Sequence, residues 1–470
     1  MTEASALFDL LRQAVPAPVV DALERFVRDA PERKLARINA LTLATELGLD
    51  EEPTIGVLLH ATHLGLFELY WNVLCPGCGG VLDANTSLKT VRSDTYSCAL
   101  CAAGYEPTLD QMVEVTFTVS PRVRAIAAHH PHELPPVEYF RQIYWCSGVD
   151  LPDDDRFNAL LDDLLLEVLE LPPGEKAVLS LQLPEGSIIV FEPVTHAAQF
   201  LDVKGEPTRE RQSLSLVFDR GHRHRETIEM RPGPLRIAVE NLTDVRTLPS
   251  VCVANDALHG LLGQRRPFLT AKRLLSNQTF RDIYRTDTLD VSQRLKVTSL
   301  TFLFTDLRGS TALYERVGDL AAFDLVQTHF AVLNEIVATE AGAVVKTIGD
   351  AVMATFPTPD RAVAAALRMR EAMRQLNQQR GNDDLLLKIG IHEGPCIAVN
   401  LNERQDYFGQ AVNIASRVQH LATPQEIFAT DTVLDDPQVA SFLALRGLTP
   451  TAHGAALRGI ATAVGIFAIP

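Results

Sequence analysis

The chain has 470 residues, 46% of them apolar and 22% charged, and carries a formal net charge of -16. That length provides for about two to four domains, and the mixed composition excludes large-scale disorder. The acidic balance excludes binding that depends on Lys and Arg neutralising the phosphates of nucleic acids or anionic membranes.

No apolar run reaches the roughly 18 to 20 residues of a spanning helix. The opening MTEASALFDLL places an acid where a secretion signal has a basic stretch. A cytoplasmic protein that binds neither membrane nor nucleic acid is expected. Without secretion, the glycosylation-like triplets NTS, NLT and NQT are chance matches.

Residues 1–110 read as a winged-helix-like module with a zinc ribbon. Helical segments around Pro18–Val27 and LTLATELGL lead, after a turn at Asp50, into PTIGVLLHATHLGL and then the strand FELYWNVL. The would-be reading helix, Glu51 to Leu66, contains no Lys or Arg. A groove-entering helix needs donors for phosphates and base edges, so a packing or interaction module is expected instead. Cys75, Cys78, Cys98 and Cys101 form two CxxC pairs separated by 19 residues. Four thiolates in two knuckles satisfy tetrahedral, structural zinc. His60 and His63 are therefore not needed as ligands, and Cys146, Cys252 and Cys396 read as buried free thiols.

Residues 111–265 turn to strands: VEVTFTVS, KAVLSLQL, SIIVFEP, RQSLSLVFD and LRIAVENLT. Their alternation implies a β-rich, sandwich-like domain, interrupted by a helix around Phe157–Leu169. Its ligand or protein partner, if it has one, is not legible. His222 and His224 in GHRHRE read as a solvated hairpin, being half a metal site at best. Residues 266–297 form a helical connector without a Pro/Gly/Ser-rich tether, stiff enough to transmit a rearrangement.

Residues 298–470 alternate strand and helix signals compatible with a ferredoxin-like βαββαβ core, making the whole an α+β multidomain protein. Phe323, Val326, Phe330, Leu333 and Val337 form one helical apolar stripe; Ala362, Ala366, Met369, Met373 and Leu376 form another. Asp306 ends the strand SLTFLFTD, and Asp350 follows Gly349 in the hairpin VVKTIGDAVMATF. If these strands are neighbours, two carboxylates converge. Such a pair repels itself unless a divalent cation, magnesium or manganese, neutralises it.

Four segments in order, FTDLRGST, KTIGD, DYFGQAVNIASR and LRGI, resemble the catalytic domain of the class III nucleotidyl cyclases. Lys346 lies four residues before Asp350, Asp406 seven before Asn413, and Arg417 four after Asn413. The resemblance implies that Asp306 and Asp350, with the backbone carbonyl of Leu307, hold two magnesium or manganese ions. It also implies that Asn413 and Arg417 stabilise the transition state. It implies a head-to-tail homodimer too, with the metal residues of one subunit completing a site with the base and transition-state residues of the other.

Gly309, Ser310 and Thr311 lead into a helix whose free N–H groups favour phosphate oxygens. Arg458 stands where the family more often has lysine for the triphosphate, a change that keeps the charge. Lys346 is donor-only and Asp406 acceptor-only, which complements N1 and N6 of adenine. An adenylate cyclase using ATP is therefore expected, with a guanylate cyclase or a non-catalytic regulatory scaffold as alternatives.

Overall fold

The computed structural model describes residues 3–92, 94–219, 226–284, 289–290, 293–401, 404–424, 426–454, 457, 459–460 and 463–470. His222, His224 and Arg458 lie outside the described residues. The chain forms two compact units, one of Met1–Thr86, Asp94–Pro107 and Met112–Leu269, the other of Ser87–Ser93, Thr108–Gln111 and Thr270–Pro470.

In the first unit, helices Glu3–Ala14, Ala17–Asp29, Ala40–Leu47 and Glu51–His63 precede the strand Phe67–Leu74. In Ala17–Asp29, Val20, Leu23 and Val27 are buried at three- and four-residue spacing, one helical face. Glu51–His63 buries Thr54, Ile55, Val57, Leu58, Leu59 and Ala61. It is a packing helix, consistent with its lack of cations. Phe67–Leu74 pairs antiparallel with Val81–Asn85 on one side and Val113–Val119 on the other.

Further along, Gln212–Phe218, Gly233–Asn241 and Lys176–Leu183 form one sheet. Ile228–Met230, Ala197–Val203, Gly186–Glu192, Ser250–Val253 and Leu165–Val168 form a second. Alternate residues such as Leu235, Ile237 and Val239 point into a core shared with Ile188, Leu201 and Val251, the period of two that a half-buried strand imposes. The helix expected to run to Leu169 ends at Leu164, and Leu165–Val168 pairs with Ser250–Val253 instead. A short apolar run has no periodicity to separate helix from strand, and the open edge of Ser250–Val253 decides it.

The second unit is built on a strand–helix–strand succession, labelled within the unit as β1 (Leu295–Leu307), α1 (Ser310–Val317), α2 (Asp319–Thr339), β2 (Ala343–Ile348), β3 (Ala351–Phe356), α3 (Pro359–Arg380), β4 (Leu387–Leu401), β5 (Arg404–Phe408), α4 (Gln410–Leu421) and β6 (Ile427–Thr430). The sheet order is β2-β3-β1-β4-β6, continued by Ile466–Ile469 and then Thr451–His453, with β5 paired to β4. The first four strands thus have the arrangement expected of a βαββαβ core.

α2 and α3 bury Leu325, Leu333, Val337, Ala366, Met369 and Met373 in the core. Phe323, assigned to the buried stripe, is 52% exposed. The buried face of α2 runs through Ala322, Leu325, Val326, His329, Leu333 and Ile336, which turns position 323 outward. α2 is also the described helix long and apolar enough to cross a membrane by length and composition; here one of its faces packs in the core.

Candidate active site

Leu300, Phe302 and Leu303 of β1 are fully buried, and this apolar run carries Asp306 to the strand's end. Across the antiparallel ladder Asp306 faces Lys388 of β4. β2 and β3 form a hairpin closed at Gly349 and Asp350. Gly349 has φ +65°, a left-handed conformation that glycine adopts without cost. The β1–β3 pairing makes the two carboxylate-bearing segments neighbours.

Burial raises the pKa of Asp306, and the charge of Asp350 raises it further, while Lys388 and His420 oppose the shift. Asp350 is half-buried, and its Oδ2 is enclosed without a hydrogen-bond partner among the described residues. An enclosed, unpaired carboxylate oxygen beside a second carboxylate is suited to a hard divalent cation. The residues present therefore fit magnesium or manganese. His329 of α2 is fully buried, and burial lowers its pKa to about 4. Asp350 opposes that shift.

Lys346 and Asp406 meet through the fold. Lys346 is on β2 and Asp406 on β5, and Lys346 Nζ lies 2.5 Å from Asp406 Oδ2. The Tyr407 backbone N–H donates to the other oxygen, Oδ1, at 2.8 Å. Asp406 is buried, while the Lys346 side chain is 40% exposed. One side chain of the pair is an acceptor and the other a donor, and both retain hydrogen-bonding capacity beyond this contact. Arg281 supports both strands: its Nη2 donates to the carbonyls of Val345 and Gln405.

Asn413 and Arg417 lie one helical turn apart on α4. α4 lies against β4 because Gly390 has no side chain; a Cβ there would stand 2.2 Å from the Gln419 backbone nitrogen. Asn413 is exposed. Arg417 is half-buried, with Nη1 enclosed and without a hydrogen-bond partner among the described residues. A Cβ built on Gly459 would lie 3.6 Å from Arg417 Nη1 and Nη2, so the chain after position 458 runs beside the guanidinium.

Gly309 precedes α1, and Ser310 and Thr311 open it; the side chains of those two are not described. Leu307 completes β1 with its side chain buried. Among the described residues, no hydrogen bond or ion pair joins Asn413 or Arg417 to Asp306, Asp350, Lys346 or Asp406. Sequence reasoning missed Lys388, His329 and Arg281, whose relevance lies in cross-strand and tertiary neighbours with no local motif.

In the first unit, Cys75 Sγ stands 3.5 Å from Cys101 Sγ, and Cys78 Sγ 3.6 Å from Cys98 Sγ. All four sulfurs lie within 4.8 Å of one another. Backbone N–H groups of Gly80 and Cys101 donate to Cys78 Sγ and Cys98 Sγ, each at 3.4 Å. These separations are far longer than a disulfide and close to the spacing of four sulfurs about 2.3 Å from one metal. The cluster fits zinc. Cys146 is buried, Cys252 half-buried and Cys396 buried, all three as free thiols.

Residues 1–282, more than half the chain, match the model of a family of unknown function (DUF5939). The chain belongs to that family. Beyond the DUF5939 region, residues 293–443 match the adenylate and guanylate cyclase catalytic domain, and this part of the chain is a class III nucleotidyl cyclase domain. An adenylate cyclase of Anabaena cylindrica is 30% identical over 162 residues, 31% of this chain and 32% of that protein. Adenylate cyclase 2 of Rhizobium meliloti is 34% identical over 132 residues, 26% of this chain and 36% of that protein. The chain thus spans about a third of the length of these curated relatives.

Among solved structures, the adenylyl cyclase CyaB from P. aeruginosa is 26% identical, with a TM-score of 0.34 over 38% of this chain and 96% of that one. The guanylyl cyclase Cya2 is 24% identical, with a TM-score of 0.33 over 38% and 92%.

Proposed function

We propose that the chain is an adenylate cyclase that converts ATP to 3′,5′-cyclic AMP and pyrophosphate. The observation that carries this reading is the contact between Lys346 and Asp406 at 2.5 Å. Lys346 donates to adenine N1, and Asp406 accepts from the N6 amino group. Guanine presents the reverse pattern at these edges, so the pair favours ATP.

Asp306, Asp350 and the Leu307 carbonyl hold magnesium or manganese, which when bound lowers the pKa of the ribose 3′ hydroxyl and offsets charge on the leaving pyrophosphate. The α1 N-terminus at Gly309, Ser310 and Thr311 receives phosphate oxygens, and Arg458 adds a cation for the triphosphate. Asn413 orients the ribose for in-line attack. Arg417 sets a permanent charge against the α-phosphate as the transition state forms.

Two copies of the chain assemble head to tail, each site taking Asp306, Leu307 and Asp350 from one protomer and Lys346, Asp406, Asn413 and Arg417 from the other. Residues 298–470 constitute the catalytic module, and the preceding residues regulate or recruit it. A structural zinc at Cys75, Cys78, Cys98 and Cys101 holds the ribbon in the first unit; a closed four-thiolate set leaves no position for substrate. Assaying cyclic nucleotide formation from ATP and from GTP, with each metal, tests the proposal. Preferred turnover of GTP would make the chain a guanylate cyclase, and product from neither nucleotide in a folded dimer would leave a non-catalytic regulator.

A further inference from the structure

The first unit contains a cleft of about 340 Å3 bordered by Arg37, Leu43, Trp145 and Leu151, within the size range of small-molecule sites. Arg33, Lys34, Arg37, Arg141 and Arg266 all border it. Arg33 and Arg141 pair with Asp154 at 2.7 and 2.8 Å, Lys34 pairs with Glu46 at 2.9 Å, and Arg266 pairs with Asp150. Arg37 has no ion pair among the described residues. Among the described residues its guanidinium makes one hydrogen bond, from Nη1 to the Trp145 carbonyl at 3.3 Å.

The backbone of Arg37 is unusual as well. Its φ is +46°, in a region that costs a non-glycine residue about 1 to 2 kcal/mol. Neighbouring bonds impose it: the Arg37 N–H donates to Thr118 Oγ1 at 3.1 Å, and Ile38 bridges to Phe117. Glycine would relieve the strain, yet an arginine occupies the position. Glu114 acts on Arg37 electrostatically, but its buried carboxylate already accepts from the Ser147 N–H and hydroxyl and from Asn72 Nδ2. The result is a cleft of mixed lining in which Arg37 is a forked donor without an ion pair among the described residues.

We infer that this cleft binds a small organic monoanion, a carboxylate with a compact apolar body. The planar fork of Arg37 matches a carboxylate, and Phe26, Leu43, Val149 and Leu151 cover the body. Arg33 and Arg141 face Asp154 and Glu138, Lys34 faces Glu46 and Arg266 faces Asp150, so Arg37 is the border cation without an ion pair among the described residues, and its single charge matches a monoanion. The inference is independent of the cyclase reading, because its test measures binding and not turnover.

The full chain is titrated with benzoate, with its uncharged isostere benzamide, and with inorganic phosphate, following heat and tryptophan emission; Trp145, which borders the cleft, is one of two tryptophans. Benzoate is expected to bind saturably with a Kd on the order of 1 mM, and benzamide at least about tenfold more weakly. Arg37→Gln is expected to cost at least about tenfold in benzoate affinity and Arg37→Lys less. Melting curves establish that each variant is folded; if Arg37→Gln does not fold, Arg37→Lys and the benzoate–benzamide comparison decide. Equal affinity for benzoate and benzamide, unchanged benzoate affinity in folded Arg37→Gln, tighter binding of phosphate than benzoate, or no saturable response to benzoate would each overturn the assignment.

Discussion

Arg281 Nη2 stands 3.0 Å from the carbonyl oxygen of Gln405, the residue before Asp406, and the same nitrogen reaches the Val345 carbonyl, before Lys346, at 3.3 Å. One guanidinium thus ties together the two strands that carry the proposed base-reading pair. Burial lowers its pKa, and Tyr407 and Asp406 oppose that shift.

Arg281→Met keeps much of the bulk and removes the donor. The Michaelis constant for ATP is expected to rise at least about tenfold, and the preference for ATP over GTP to shrink, with a smaller fall in kcat. Arg281→Lys should restore part of the preference. Initial rates on both nucleotides check this, and an unchanged ATP-to-GTP ratio in Arg281→Met would assign Arg281 a purely structural role.

Gly390→Ala tests how closely α4 must lie on the sheet. The added methyl meets the Gln419 backbone at 2.2 and 2.5 Å, atoms that cannot swing away as a side-chain tip can. A stability loss of about 1 to 3 kcal/mol is expected, read by denaturant unfolding. Because the same helix carries Asn413 and Arg417, a shift of about 1 Å should also cost on the order of a hundredfold in rate.

Complementary half-sites make a specific demand on mixed dimers. Asp306→Ala and Asp350→Ala should each abolish cyclisation, as should Arg417→Ala. Mixing an Asp306→Ala chain with an Arg417→Ala chain should recover activity, since one composite site is then intact. If subunit exchange is demonstrated and no cyclic nucleotide forms, the site is not shared in the proposed way.

Metal analysis of protein purified without chelator should give about one zinc per chain. Cys98→Ser removes one of the four sulfurs clustered within 4.8 Å, and is expected to lose most of that zinc and to lower the melting temperature. A natural chain with less than about half a zinc, yet the same melting behaviour as Cys98→Ser, would argue for four plain thiols.

His392 gives the protein an acid sensitivity of known sign. It is buried, its Nδ1 lies 2.9 Å from Thr430 Oγ1, and burial lowers its pKa from 6.5 to about 4. The unfolded imidazole takes up a proton below 6.5, whereas the folded one does so only near 4. The unfolded state binds more protons in that window, so stability present above pH 6.5 is lost as pH falls, by about 3 kcal/mol. Unfolding titrations from pH 7.5 down to about 4 should show a shallower decline in His392→Gln than in the natural chain.

Short-range chemistry was legible in the amino-acid sequence. An apolar strand ending in Asp306, the Gly349–Asp350 turn, the one-turn spacing of Asn413 and Arg417, and the paired CxxC knuckles all depend on neighbours a few residues apart. Backbone geometry converts such spacing directly into position. Tertiary structure alone decided which distant groups meet. Lys388 faces Asp306 through strand register, Arg281 reaches carbonyls 64 and 124 residues away, and Gly390 admits a helix backbone. The strand at Leu165–Val168 and the outward turn of Phe323 likewise depend on what packs alongside. Burial, ladder register and close approach are set by partners far along the chain, so no local pattern of residues encodes them.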